Sequence, residues 1–410
     1  MIRRQIQLTA SKEGRRRRWG LWMVSTGMVV GGLAWGSLAR AQDNDALSRR
    51  IDQLEEKLEA AVDALAADAG SVDGGRSEAV HGGHGASSSA TFVGGYGELH
   101  YNNWQNNAGG ADKKEIDFHR FILFLGHEFS DRIRFFSETE LEHSIAGDGQ
   151  VGAVELEQAF VDLALNDRHT VRAGLFLIPA GIINEIHEPP TFYGVERNPV
   201  EKNIIPSTWW EGGVGLYGEL APGVGYDLAV TSGLNTATYK IRSGRQKVGE
   251  AKADDLAYTA RLRWRGLPGV ELAGTLQWQE NITQGVDRDA AALLFAAHTV
   301  IERGVWTVKA LYATWQVDGA GAKAAGMDEQ TGWYIEPSMK INPYCGVFFR
   351  YNLWDNQAGD NIDSEYVQMN AGVNYWPHEN VAIKVDVQQQ DTPAGSDEFR
   401  GVNLGVGYHF

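Results

Sequence analysis

The sequence has one cysteine, Cys345, so no disulfide can form within the chain. Proline is scarce, at 11 of 410 residues, and after residue 38 no apolar run is long enough to cross a bilayer as a helix. Basic residues are also few, with 37 lysines and arginines against 53 acidic residues and a net charge of −16. These shortages exclude a disulfide-rich domain, a helical membrane protein and a nucleic-acid-binding protein.

The first 41 residues have the pattern of a secretory signal. Basic residues cluster within 3–18, an uncharged stretch covers 19–38, and Ala39 and Ala41 are the small residues that precede a cleavage site. We expect residues 1–41 to be removed, which would leave a mature chain of net charge −23. An uncleaved anchor is the alternative, because the uncharged stretch could span a bilayer.

Residues 42–68 are predicted to form a periplasmic coiled-coil helix, and residues 69–90 a flexible linker rich in glycine and serine. Apolar side chains in the helix recur at alternating spacings of four and three, as in an a/d heptad seam. They are Leu47, Ile51, Leu54, Leu58, Ala61 and Leu65. Three heptads are too few for an isolated coil. The helix would therefore associate within a larger assembly, or lie alone on another surface.

Residues 91–410 contain sixteen strand-like runs, in which apolar and polar side chains alternate; two of the runs lie at 169–182 and 332–341. Seven tight turns alternate with eight longer connections. An even strand count with both ends on the tight-turn side is typical of outer-membrane barrels, whose mean hydropathy is low because only alternate residues meet lipid. The predicted fold class is all-β, a 16-stranded antiparallel transmembrane β-barrel with a short N-terminal coiled-coil helix.

The last predicted strand is apolar at alternate positions and closes on an aromatic residue. Asn403, Gly405, Tyr408 and Phe410 resemble the C-terminal assembly signal of bacterial outer-membrane barrels. This resemblance implies that the four residues are read by the machinery that inserts barrels into the membrane. The alternative is a soluble sheet that happens to end in phenylalanine.

Several segments resemble phosphate-selective porins of the O and P family, in that family's order. They are 115–129, 134–140, 172–174, 176–181, 195–197 and 213–218. The resemblance covers roughly 91–410. It implies a homotrimeric barrel in the lipid of a Gram-negative outer membrane, with a third external loop that narrows a channel. It also implies passive diffusion of small hydrophilic solutes or ions, with anions such as phosphate among them.

Residues 183–207 form the longest predicted connection, and they are too apolar to extend into water. We expect this loop to fold into the barrel, with Trp209 and Trp210 anchoring its return at the lipid boundary. The candidate pore residues are Arg197, Lys202, Glu196, Glu185, Arg261, Arg263 and Arg265. A phosphate filter needs clustered basic residues, whereas this loop carries more acids than bases.

The sequence leaves two interpretations open for each group of charges. Either Arg197 contacts anions, or Glu196 or Glu201 neutralises it. Either the wall arginines Arg261, Arg263 and Arg265 guide ions toward the loop, or they pair with acidic residues across the strands.

No enzyme, cofactor or metal site is predicted. His143 and Ser144 are neighbours on a predicted strand and would point to opposite faces, so they cannot form a catalytic pair. His81 and His84 lie in the linker and make a poor metal site. The sequence therefore favours a porin, and the alternative is a structural barrel tethered to the cell wall or to partners through its coil.

Overall fold

The computed structural model describes residues 90–287 and 289–410. The signal sequence, coiled-coil helix and linker predicted within 1–89 lie outside the described residues. No helix in the described part of the chain is long and apolar enough to cross a membrane.

The chain forms sixteen antiparallel strands that close into one barrel, which confirms the predicted fold class. The strands are β1 (Thr91–Asn106), β2 (Lys113–Ser130), β3 (Ile133–Glu142), β4 (Val154–Asn166), β5 (His169–Leu177), β6 (Trp210–Ala221), β7 (Val224–Thr231), β8 (Ala257–Leu267), β9 (Val270–Gln279), β10 (Ala292–Arg303), β11 (Trp306–Val317), β12 (Glu329–Asn342), β13 (Cys345–Asp355), β14 (Tyr366–His378), β15 (Val381–Asp391) and β16 (Phe399–His409). Each strand pairs with its neighbours in sequence, and β1 pairs with β16.

Tight turns join the strands at one end of the barrel, and longer loops join them at the other. The longest connection, which we call the long loop, is 178–209, because β5 ends at Leu177 and not at the predicted 182. The long loop contains α1 (Val200–Asn203) and a 3-10 turn, Pro189–Thr191. The connection 232–256 contains a second 3-10 turn, Ile241–Gly244, and 318–328 contains α2 (Ala320–Ala324).

Alternate side chains point to opposite faces of the wall, as the sequence pattern predicts. On β8, Tyr258 and Leu262 are about half exposed on the outer surface, whereas Thr259 and Arg261 are 3% exposed and face the lumen. The same alternation in the other strands gives the barrel an apolar outer belt and a largely polar interior. This is the pattern expected of a barrel whose outer face meets lipid.

The long loop folds into the barrel, where it packs against an apolar patch of the inner wall. Ile204 and Trp209 of the loop contact this patch, and the indole of Trp315 donates to the Ile204 carbonyl at 2.9 Å. The wall residues of the cluster include Leu294, Ala296, Leu311, Ala313, Trp315, Tyr334 and Trp354. The rings of Trp209 and Trp315 are tilted by 50° relative to one another, with centroids 6.2 Å apart. The prediction that Trp209 lies at the lipid boundary is therefore wrong, because the apolar patch that buries it is inside the lumen.

Candidate functional site

A buried carboxylate, Glu201, holds the long loop in its inward fold. Its Oε2 accepts hydrogen bonds from the backbone N–H groups of Ile182 and Ile183, both at 2.7 Å. Its Oε1 accepts from the Tyr334 hydroxyl at 2.9 Å and from Asn198 Nδ2 at 3.3 Å. Glu201 thereby ties the start of the loop to α1 and to β12.

The close approach of loop and wall depends on glycine at two points. Gly181 has a φ of +78°, and a Cβ there would lie 2.3 Å from Glu201 Oε2. Gly405 on β16 faces Val195 of the loop, and a Cβ there would lie 3.0 Å from the valine side chain. A larger residue at either position would push the loop away from its seat.

Across the lumen, the loop reaches the seam where the barrel closes. The N–H of Val195 donates to Asp386 Oδ2 at 2.8 Å. The Glu196 carboxylate lies 3.2 Å from His100 Nδ1 and accepts from Asn102 Nδ2 at 3.1 Å. Desolvation alone would raise the pKa of Glu196, but the hydrogen bond from His100 and the nearby positive charges, Lys202 among them, together outweigh it, and the pKa is lowered. Glu196 is therefore an anchor between the loop and β1, ionised at neutral pH.

A cavity of about 580 Å³, the outer cavity, is lined by the long loop, by the connection 232–256 and by strands β1–β4 and β14–β16. Its lining includes an acidic wall on β3 and β4, formed by Glu140, Glu142, Glu155 and Glu157. It also includes a basic strip on the two loops, formed by Arg197, Lys202, Arg242, Arg245 and Lys247, and Lys247 is ion-paired with Glu155. Charges of both signs in one cavity create a local field, which acts on any ion or dipole inside it.

Arg197 of the basic strip is bonded to neutral oxygens. Its Nη1 donates to the Thr208 hydroxyl at 2.9 Å and its Nη2 to the His187 carbonyl at 3.3 Å, while its Nε is buried without a partner. Among the described residues no carboxylate pairs with it, because Glu196 and Glu201 are bonded elsewhere. The structure therefore does not pair Arg197 with either glutamate.

Two further arginines are held beside it by backbone carbonyls. Arg242 Nη1 donates to the carbonyls of Lys202 and Ser207, at 2.8 and 3.0 Å, and Arg245 Nη1 donates to that of Thr208 at 2.5 Å. Burial and the neighbouring Arg245 lower the pKa of Arg242 to about 9. Both guanidinium groups are therefore charged at neutral pH.

A second cavity of about 450 Å³, the inner cavity, lies on the other side of the loop and contains the rest of the predicted pore residues. Arg261 pairs with Glu185 and with Asp227, the latter at 2.8 Å. Arg263 lies 3.4 Å from Asp227, and Arg265 donates from Nε to Glu271 at 2.5 Å. The structure thus places Glu185 in a different cavity from Glu196, Arg197 and Lys202, although the sequence pattern grouped these four loop residues together. It also pairs the wall arginines across the strands.

Glu185 is ionised through its partner in the inner cavity. Desolvation alone would raise the pKa of Glu185, but the guanidinium groups of Arg261, Arg263 and Arg172 together outweigh this, and the pKa is lowered.

The residues of the predicted assembly signal lie at the seam between β16 and β1. Asn403 donates to Asp386 Oδ1 at 2.9 Å, and it accepts from Asn102 Nδ2 and Trp104 Nε1 at 2.9 and 2.6 Å. Phe410 exchanges two backbone hydrogen bonds with Gly95, at 2.8 and 2.9 Å. Its ring lies on the outer face beside Phe121 and Tyr408, with centroids 6.3 and 6.4 Å apart.

Sequence reasoning missed three of the five residues of the basic strip. Arg242, Arg245 and Lys247 all fall in 240–247, a segment with four basic residues in eight, so the charge density of that loop was the available signal. The acidic wall was visible only as glutamates on two strands. Its place in the same cavity as the strip depends on how the loops fold, and no local pattern shows that.

Comparison with solved structures identifies the class of fold. An anion-selective porin of Comamonas acidovorans matches with a TM-score of 0.57 at 13% identity, over 79% of this chain and all of that one. The outer-membrane channel DcaP of Acinetobacter baumannii matches with a TM-score of 0.56 at 14% identity, over 81% of this chain and all of that one. OmpF of Salmonella typhi, in complex with daunomycin, gives a TM-score of 0.55 at 14% identity, over 78% and 97% of the two chains. The chain has the fold of bacterial porins.

Similarity in sequence assigns the chain to a family, which is a narrower group than the fold. A protein of Aquifex aeolicus, described only as uncharacterized, is 32% identical over 335 residues, which are 73% of this chain and 75% of that protein. The chain belongs to the family of that protein. No family model matches the sequence.

Proposed function

We propose that this protein is an outer-membrane porin, a water-filled channel through which small hydrophilic solutes diffuse. The observation that carries the proposal is the outer cavity beside the inward loop, which is lined by both the acidic wall and the basic strip. Polar side chains inside and apolar side chains outside suit a barrel with water in its lumen and lipid around it. Among the described residues, the buried charges face this lumen and not the apolar belt.

Small anions, phosphate among them, would travel along the basic strip. Among residues 90–287 and 289–410, Arg197 has no carboxylate partner and Arg242 and Arg245 are bonded only to carbonyls, so their charges act on an ion in the cavity. The acidic wall opposes this preference, because its carboxylates repel anions from the same cavity. We therefore infer that anions pass beside the basic strip, with phosphate as one substrate of the class.

A channel is better supported than an enzyme. His143 and Ser144 follow β3 with φ values of +53° and +55°, and the His143 ring is bonded to Asp117 at 2.9 Å. That histidine is therefore engaged with a carboxylate on β2. The proposal includes export with removal of residues 1–41, a location in the outer membrane of a Gram-negative bacterium, and assembly as a homotrimer.

Planar-bilayer recording of the purified protein tests the proposal. We expect discrete open-channel steps in potassium chloride. Under a salt gradient, the reversal potential should shift toward the anion equilibrium, and it should keep that sign when phosphate replaces chloride. Channel steps with a cation-directed reversal potential in both salts would refute the anion assignment. Electrically silent membranes that contain correctly folded protein would favour the tethered structural barrel.

A further inference from the structure

Three buried side chains converge where the long loop meets the barrel wall. Glu138 on β3, Glu157 on β4 and His187 of the loop are each at most 3% exposed. His187 Nε2 lies 3.4 Å from Glu138 Oε1 and 3.8 Å from Glu157 Oε2. One ligand atom from each residue therefore faces the same small space, and all three lie within 4.8 Å of one another.

The hydrogen bonds around this group direct three inner atoms at one another. His187 Nδ1 lies 3.2 Å from the Asn184 carbonyl, which can only accept, so Nδ1 carries a hydrogen and Nε2 is the ring atom that faces the glutamates. Gln158 Nε2 donates to Glu138 Oε2 at 2.6 Å. Glu138 Oε1 and Glu157 Oε2 are buried with no hydrogen-bond partner in the described chain. Two buried carboxylate oxygens that face an imidazole nitrogen need a positive charge between them, which either a metal ion or a proton on His187 Nε2 supplies.

The nearby basic groups are engaged elsewhere. Arg120 binds Glu98 at 2.8 Å and approaches Glu140 at 3.5 Å, and Arg197 donates to neutral oxygens. The hydroxyl of Tyr96, whose ring centroid is 6.0 Å from that of His187, is also buried without a partner. In the described structure, no guanidinium lies within ion-pair distance of Glu138 or Glu157.

We propose that Glu138, Glu157 and His187 bind a divalent first-row transition-metal ion, which fastens the long loop to the wall of the barrel. Ligands about 2.1 Å from a tetrahedral ion lie roughly 3.4 Å apart, close to the separations seen here. One imidazole and two carboxylates suit ions of the zinc class. A histidine whose second nitrogen donates to a backbone carbonyl, and a carboxylate held by an amide, are the outer-shell contacts that such ligands usually have.

The ion would act as a cross-link between two strands and the loop. Its effect on conductance rests on the proposed function, whereas metal binding itself does not. A bound ion would hold His187, and with it the carbonyl that orients Arg197, at a fixed height in the lumen. No local sequence pattern indicates this site, because its ligands come from three separate segments.

Zinc titration of the refolded full-length protein, after removal of metal with EDTA, tests the proposal. The background should be H81A/H84A/H119A/H143A, because those histidines could bind zinc independently; His119 and His143 share the Asp117 carboxylate. We expect calorimetry to show one zinc ion per chain. Cobalt should give the visible absorbance of a four-coordinate site. The double variant E138Q/E157Q should lose at least about 100-fold in affinity, since it removes two of three ligands.

The control is Glu140→Gln, which alters a neighbouring lumen glutamate outside the group and should leave zinc affinity unchanged. Heat-modifiable migration in gels verifies that each variant is folded, and His187→Gln provides a second test if the double variant does not fold. Absence of zinc binding by the background protein would overturn the proposal, and His187 would then be a protonated bridge between the two glutamates. Equal affinity in E138Q/E157Q would overturn it as well. A silent bilayer with intact zinc binding would count against the porin proposal alone.

Discussion

Arg197 lines the outer cavity and has no ion-pair partner in the part of the chain that the structure describes. Its hydrogen bonds to Thr208 and His187 orient the guanidinium but leave its charge unneutralised. At about 4 Å, one unit charge is worth about 1 kcal/mol even in bulk water, and more beside protein. A single residue can therefore set part of the ion preference of the whole lumen.

We expect Arg197→Glu to lower the anion-to-cation permeability ratio by about fivefold or more, because reversal of the charge turns attraction into repulsion of at least about 1 kcal/mol. Reversal potentials under a potassium chloride gradient measure this ratio. Single-channel conductance should change as well.

The matched control is Arg263→Glu, which reverses a lumen arginine that already lies beside Asp227 in the inner cavity. We expect a smaller shift there. If Arg263→Glu changes selectivity and Arg197→Glu does not, the filter lies on the barrel wall and our placement is wrong.

At this scale, the alternation of residues predicted which way Arg261, Arg263 and Arg265 point, because the direction of a side chain from a strand is a local property. Their partners could not be predicted. Asp227 comes from the preceding strand and Glu185 from the loop, so the pairing depends on register and on the inward fold.

Among the elements of the fold, the long loop depends most on a single side chain. Glu201 accepts two backbone hydrogen bonds from Ile182 and Ile183, and it joins them to Tyr334 on the wall. Each buried donor left without an acceptor costs roughly 1–3 kcal/mol.

We expect Glu201→Ala to release the loop from its seat while the barrel stays closed, since no strand pairing involves this residue. Limited proteolysis should then cut within 178–209, and conductance should rise or become noisy. Glu188→Ala is a suitable control on the same loop, because that side chain accepts no hydrogen bond that the loop needs. Resistance of Glu201→Ala to proteolysis at wild-type levels would show that apolar packing alone holds the loop.

The pairing of β16 with β1 leads to a separate prediction, which concerns Phe410. Its ring packs beside Phe121 and its backbone bonds to Gly95. Phe410→Asp would place a charge on the outer face, so we expect outer-membrane levels to fall at least severalfold in fractionated cells.

Phe129→Asp changes a second aromatic residue of the outer face, 57% exposed against 55% for Phe410, and provides the comparison. An equal loss in both variants would mean that any charge at the rim is harmful. A specific assembly role for Phe410 would then be excluded.

Strand number and order were predictable, because turn chemistry and period two are encoded locally. The end of β5 was misplaced, since the apolar run continues into the loop at Ile178, where the same residue types face the interior patch and not lipid. Similarly, β12 begins at Glu329 and not 332. The hydrophobicity of a segment identifies residues that avoid water. It does not distinguish residues that face lipid from residues that pack inside the lumen.

For the whole molecule, we expect a trimer whose stability depends partly on the predicted helix at 42–68. Three adjacent barrels would hold three such helices at roughly millimolar effective concentration, enough to pair short heptads. Deletion of 42–68 should therefore lower the temperature at which trimers dissociate, measured by native mass or light scattering in mild detergent. A wild-type monomer under those conditions would contradict the prediction, and an unchanged dissociation temperature would assign trimer stability to the barrels.

The contact between β1 and β16 has a kinetic consequence. Asn102 and Asn403 are hydrogen-bonded partners 301 positions apart in the chain, so the ring closes only after almost every intervening residue has taken its place. Such non-local pairing is slow, because the chain loses the conformational entropy of closing a very long loop before it gains the free energy of the contacts. Until then, two open sheet edges remain available to other chains. Any partly translated or stalled copy is therefore an aggregation hazard, and the cell must keep this polypeptide extended until its final strand arrives.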